Sequence, residues 1–182
     1  EKGRLIVNRD GYAVLAREND ANGSQTAEMY LDENRRPIVI PKGYARVETR
    51  YDYQGNQTQI AYYDAGRRPV QIEQGYHRAE FTWDTEGHQL TEHYYGVDGL
   101  LTECRDGYAS FACEYDSQGN LTREVYYDRN GNVTSVAAGA AEVQRTYDNQ
   151  NRLLAERYFD ETGAPYMLHG DYAAVVYTYD RL

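Results

Sequence analysis

Long apolar runs are missing from this chain of 182 residues. No stretch approaches the roughly 20 consecutive apolar residues of a membrane span, and none forms the apolar centre of a signal peptide. Two cysteines, Cys104 and Cys113, are too few for a disulfide framework. Positive charge is scarce as well: 19 Lys and Arg stand against 29 Asp and Glu, a formal net charge of −10. That balance argues against nucleic acid and anionic membrane as partners, because both select for basic patches that release counterions. Tryptophan occurs once, at Trp83, and phenylalanine three times, yet aromatic residues make up 13% of the chain. The difference is tyrosine, with 20 copies. Much of the apolar surface therefore carries a hydroxyl that needs water or a partner, which suits thin layers with wet faces better than a deep core.

Self-similarity is the dominant feature. Gly11-Tyr12-Ala13 recurs as Gly43-Tyr44-Ala45, Gly75-Tyr76-His77, Gly107-Tyr108-Ala109, Gly139-Ala140-Ala141 and Asp171-Tyr172-Ala173, every step being 32 residues. The same step joins Asn19-Asp20, Tyr51-Asp52, Trp83-Asp84, Tyr115-Asp116, Tyr147-Asp148 and Tyr179-Asp180. It also joins Tyr30-Leu31-Asp32, Tyr62-Tyr63-Asp64, Tyr94-Tyr95-Gly96, Tyr126-Tyr127-Asp128 and Tyr158-Phe159-Asp160. One repeat array fills the chain, with full units 11–42, 43–74, 75–106, 107–138 and 139–170 between partial units 1–10 and 171–182. The chain begins and ends inside a unit and shows no polar terminal cap, as expected of a segment of a longer protein with other domains.

Aspartate followed three residues later by glycine, as in Asp52 to Gly55, Asp116 to Gly119 and Asp128 to Gly131, is tight-turn chemistry. A further turn precedes each Gly-Tyr, as in Pro41-Lys42-Gly43. Turns this frequent exclude helices and predict short strands between them. The fold class is therefore all-β: an elongated array of antiparallel hairpins or a meander, single-layered or wound into a superhelical solenoid. Three short strands per unit, about sixteen in all, are expected if every turn closes a strand pair. An odd number per unit would reverse each equivalent strand and double the translational period.

The run from Tyr126-Tyr127-Asp128-x-x-Gly131 through Gly139 to Tyr147-Asp148 resembles the YD repeat of the Rhs and teneurin families. The resemblance covers essentially the whole chain and implies long spiralling β-sheets of hairpins. The rigid 32-residue unit departs from the irregular repeats of that family. The unit is also similar in style to the aromatic hairpin repeats of choline-binding and clostridial toxin proteins. Those modules imply a bacterial surface or secreted setting and binding of cell-wall choline or glycans. The tryptophan cage of choline binders is absent.

Two adjacent aromatics end one strand of each unit and must face opposite ways. The second position accepts Leu31 and Phe159 and reads as packed. The first is always tyrosine: Tyr30, Tyr62, Tyr94, Tyr126 and Tyr158. Two residues earlier, on the same face, stand Glu28, Ile60, Glu92, Glu124 and Glu156. Tyrosine beside carboxylate, repeated along a surface, is suited to stacking on sugar rings and accepting their hydroxyls, or to cradling a cationic head group; the plainer reading is that these tyrosines support a thin sheet and bond neighbouring strands. These nine residues, without Ile60, are the candidate ligand-binding set, for a glycan or cell-wall polymer. The aspartates read as turn residues, since one turn offers too few of the six to eight oxygens calcium takes. The four histidines show no zinc spacing. No nucleophile elbow, phosphate loop or unique carboxylate pair suggests catalysis. A non-enzymatic module without cofactor or metal, located outside the cell or at its surface, is the expectation, with a structural spacer as the alternative.

Overall fold

The computed structural model describes residues 5–137 and 139–180. Among these described residues eleven strands are hydrogen-bonded in sequence order, forming an antiparallel meander. They are β1 (Val14–Asn19), β2 (Gln25–Leu31), β3 (Arg46–Tyr51), β4 (Gln57–Tyr63), β5 (Arg78–Trp83), β6 (Gln89–Tyr95), β7 (Ser110–Tyr115), β8 (Leu121–Tyr127), β9 (Glu142–Tyr147), β10 (Leu153–Phe159) and β11 (Ala174–Val176). The chain divides into two compact units. One holds the residues up to Phe81 together with Tyr94–Leu100, and the other holds Thr82–His93 and the residues from Leu101 onward.

Each 32-residue unit supplies two strands, not the three that its turn spacing predicts. The first hairpin follows the sequence closely. In β3–β4 the Asp52 amide donates to the Asn56 carbonyl at 2.9 Å and the Gly55 amide returns to the Asp52 carbonyl at 3.2 Å. The Asp52 carboxylate accepts from the amides of Gln54 and Asn56 at 2.9 Å each. Gly55 sits at φ 90°, where a β-carbon is strained, and the register slips by a bulge between Arg50 and Tyr51. The same bulge recurs in β1–β2, β7–β8 and β9–β10.

The segment expected to be the third strand stays a loop. After β2 the chain turns at Asp32, and Pro37 makes a single bridge with Leu31. Ile38 then donates to the Tyr30 carbonyl at 3.0 Å, and a tight turn from Ile40 to Gly43, the third turn of the repeat, leads into β3. Two physical reasons stop it from extending. The rest of that β2 edge is occupied by β3, through Ala27↔Glu48 to Met29↔Arg46. Proline also has no N–H for a ladder. Tyr63↔Pro69, Tyr127↔Val133 and Phe159↔Pro165 repeat the arrangement. With two strands per unit, equivalent strands within each compact unit run the same way, so the repeat is 32 residues and the expected reversal does not arise.

The core is thin. Its fully buried residues are mostly small: Ala45, Ala61, Ala79, Ala109 and Ala141 are at 0% exposure, and Val125 is the largest side chain below 2% among the described residues. Ile40, Ile72 and Cys104 occupy one repeat position in the third turn and are all buried. Cys104 thus replaces an aliphatic residue, and both cysteines are free thiols. Burial first, then the Glu124 charge, pushes the Cys113 thiol up to about 11, which keeps it protonated and inert at neutral pH.

Candidate functional site

Tyrosines from two sources meet on one face of the sheet. One follows the glycine of the third turn and the other sits near the end of the second strand. In the first compact unit they alternate without a gap. Ring centroids lie 5.0 Å apart for Tyr12–Tyr30, 5.9 Å for Tyr30–Tyr44, 5.0 Å for Tyr44–Tyr62, 6.2 Å for Tyr62–Tyr76 and 4.7 Å for Tyr76–Tyr94. The first four pairs are inclined at 58–67°, the geometry aromatic quadrupoles favour, and the last is stacked at 22°. In the second compact unit Tyr108 meets Tyr126 at 4.9 Å and Tyr158 meets Tyr172 at 6.2 Å. Ala140 stands where the intervening tyrosine would be.

Of the tyrosines singled out by the sequence, Tyr30 and Tyr94 are buried, at 8% and 7% exposure, while Tyr62, Tyr126 and Tyr158 are half-buried. Their carboxylate neighbours are engaged within the fold. The Tyr30 hydroxyl donates to Glu28 at 2.5 Å, Tyr126 to Glu124 at 2.5 Å and Tyr158 to Glu156 at 3.3 Å. Glu28 also accepts from Arg17 at 3.2 Å. Glu124 and Glu156 share Arg145, at 3.4 and 3.0 Å, and Glu92 accepts from Gln89 at 3.1 Å. Burial, reinforced by the adjacent carboxylate, holds the Tyr30 and Tyr126 hydroxyls well above the usual phenol range. These phenols are neutral donors at physiological pH.

The open surface lies one step away, between the ladder and the third turns. A cleft of 430 Å³ is lined by Tyr12, Tyr30, Ile40, Pro41 and Lys42, with Arg9 and Asp10 at its rim. The next, of 340 Å³, is lined by Lys42, Tyr44, Tyr62, Ile72, Glu73, Gln74 and Tyr76. A third, of 250 Å³ in the second compact unit, takes Asp106, Tyr108, Tyr126, Val136 and Ala137. All three use equivalent repeat positions: two tyrosines form the floor, joined by Tyr76 in the 340 Å³ cleft, and third-turn segments supply the aliphatic wall and polar rim. Tyr30, Tyr62 and Tyr126 therefore line clefts. Tyr94, Tyr158 and the four glutamates line none of these three.

In the sequence Tyr12, Tyr44, Tyr76 and Tyr108 read as part of a turn, and the fixed Gly-Tyr step is the one signal that marks them as a series. A second tyrosine series ties successive units together. The hydroxyls of Tyr51, Tyr115, Tyr147 and Tyr179 donate to the carbonyls of Gln25, Gln89, Leu121 and Leu153, each 26 residues earlier, at 2.8–3.1 Å.

Asp84, Glu86 and His88 each bring one metal-ligating atom within 4.8 Å of the others. The Asp84 carboxylate is already used there, accepting from His88 Nδ1 at 2.8 Å and from the amides of Glu86 and His88. The His88 ring stacks on Tyr115 at 4.7 Å and 22°.

No protein-family model matches the chain, and no curated protein matches it. Among solved structures, a crystal structure of TcdB2-TccC3-Cdc42 is similar over 78% of this chain, with 15% identity and a TM-score of 0.32. A TcdB2-TccC3 structure is similar over the same share, with 17% identity and a TM-score of 0.30. The chain spans 7% of the length of each of those chains.

Proposed function

We propose that the chain is a non-enzymatic repeat module that binds carbohydrate through its tyrosine-floored clefts, as part of a bacterial secreted or cell-surface protein. The observation that carries this reading is the recurrence of one cleft chemistry at three equivalent places. Two phenol rings beside an aliphatic wall offer an apolar, electron-rich floor to the C–H face of a sugar. The polar rim, Lys42, Glu73 and Gln74 in one cleft and Arg9 and Asp10 in its neighbour, is placed to bond hydroxyls. Each cleft is shallow, and weak sites in a row gain strength when one polymer engages several at once. The resemblance of the motif to YD and aromatic hairpin repeats supports the extracellular setting.

A glycan array probed with the whole chain tests this. Binding to polysaccharide, weakened by Tyr44→Ala with the fold intact, is the expected result. The absence of binding to any glycan overturns the reading.

A second reading, a spacer that sets the distance between other domains, is favoured by a different observation. The tyrosines and glutamates satisfy one another, and Tyr51, Tyr115, Tyr147 and Tyr179 each tie one repeat to the first residue of a strand in the preceding repeat. It predicts that substitutions in the ladder change stability alone.

A further inference from the structure

Resting on the carbohydrate reading, the geometry points to a particular ligand class: we infer that the clefts bind a linear, uncharged β-1,4-linked hexopyranose chain laid across the strands, two sugar residues to each 32-residue unit.

The ladder in the first compact unit places one tyrosine ring on each successive strand position, with centroids 4.7–6.2 Å apart. Two strands advance by about 9.6 Å. Two kinds of tyrosine alternate, one from the third turn and one from the second strand, so the surface repeats every second ring. A β-1,4-linked hexopyranose chain has the same form of repeat. Its equatorial linkages keep it extended, each ring is flipped relative to the last, and its period is a disaccharide of about the length of two strands. An α-1,4-linked chain coils and cannot follow a straight row.

Continuity of the row is built in. Lys42 lines both the 430 Å³ and the 340 Å³ cleft, so a chain leaving one enters the other past the same side chain. The right-handed rotation of about 20–25° between neighbouring strands is spread over each linkage, and glycosidic torsions absorb it. Charge narrows the class further. The cationic rim groups have acidic neighbours within the clefts, Arg9 with Asp10 and Lys42 with Glu73, in a chain of net charge −10. A polyuronate or sulfated glycan would find no cluster of unopposed cations to hold it, in a chain whose overall charge is negative. The two clefts run from Tyr12 to Tyr76, five strand positions, and set the length of the track in that unit, with Tyr12, Tyr44, Tyr62 and Tyr76 as its half-exposed rings.

Calorimetry with the native chain and oligosaccharides of two to eight residues tests the inference in three arms: β-1,4-linked glucose, β-1,4-linked N-acetylglucosamine and α-1,4-linked glucose. Affinity for one or both β series is expected to rise about tenfold or more from disaccharide to hexasaccharide, as linked sites engage, and to change little beyond it. The α series should stay weak at every length. Comparing the two β arms separates a cellulose-like from a chitin-like source. Tyr44→Ala should reduce hexasaccharide affinity several-fold while Tyr44→Phe, which keeps the ring, retains most of it. Should the alanine variant fail to fold, the length series on the native chain decides alone. Equal affinity for α and β oligomers, or no dependence on length, overturns the inference. Binding to other glycans but not to these overturns it and leaves the carbohydrate reading standing, whereas binding to none overturns both.

Discussion

A tyrosine on a thin sheet combines two roles: its ring covers apolar neighbours and its hydroxyl reaches a polar partner. Tyr126 shows both, meeting Tyr108 at 4.9 Å and donating to Glu124 at 2.5 Å. Tyr126→Phe keeps the ring and removes the donor, so a loss of about 1 kcal/mol in urea unfolding is predicted. An unchanged midpoint would show that water serves Glu124 equally well. The titration of these groups also has a sign. Tyr30, Tyr126 and Tyr115 have folded values raised above the usual 10.0, Tyr115 to about 12, with burial the leading cause. A raised folded value means stability that is complete below pH 10 and lost as pH climbs through the folded values. Asp116 and Asp128 lie on the other side, their carboxyls held below the usual 3.8 by the Asn120 and Asn132 side chains and by turn amides. Their contribution is complete above that value and lost as pH falls beneath it. Thermal melts should therefore hold level between about pH 5 and 9 and drop at both ends, most steeply above pH 10. A melting temperature unchanged at pH 11 would contradict the buried ladder.

At the scale of the element, the turns carry the repeat even where the glycine is missing. Arg35, Arg67 and Asn151 occupy the glycine position of their turns and still take φ 61°. Arg35→Gly should stabilise the chain by about 0.5–1 kcal/mol by relieving that strain. Gly55→Ala should cost about 1 kcal/mol although nothing lies within 4 Å of the added carbon, because φ 90° is the whole penalty. Denaturant curves for both variants check the pair, and shifts of the same sign would refute the account of the turns. These turns were legible in the sequence because they depend on neighbours four residues apart. The third segment of each unit was misread as a strand for the opposite reason. Its extended character is local, but a strand needs a free edge, and the β2 edge beside Pro37 is taken by β3, whose placement depends on distant residues. Half of the candidate site was legible in the same way. Strand alternation put Tyr30, Tyr62 and Tyr126 with Glu28 and Glu124 on one face, but it gave no sign that each glutamate would be engaged by its own tyrosine or by an arginine. The other half of each cleft comes from Tyr12, Tyr44 and Tyr108 and from third-turn residues such as Ile40, which reach the floor only after the loop folds back.

On the scale of the molecule, the proposed carbohydrate reading and the spacer reading part at the clefts. A spacer needs the tyrosine ties and the buried alanines but has no use for an open cleft at equivalent positions. In the proposed reading the net charge of −10 favours uncharged over anionic polymers, and the gap at Ala140 interrupts the tyrosine series that continues unbroken from Tyr12 to Tyr94. Tyrosine ring resonances followed by NMR during titration with a β-1,4-linked hexasaccharide give the most direct test of the central claim. Tyr53, 91% exposed in a hairpin turn and lining none of the three clefts, serves as the internal control. Carbohydrate held in the clefts should give saturable shifts at Tyr12, Tyr44, Tyr62 and Tyr76 with Tyr53 unmoved. Shifts as large at Tyr53, or none at the cleft tyrosines, would contradict it.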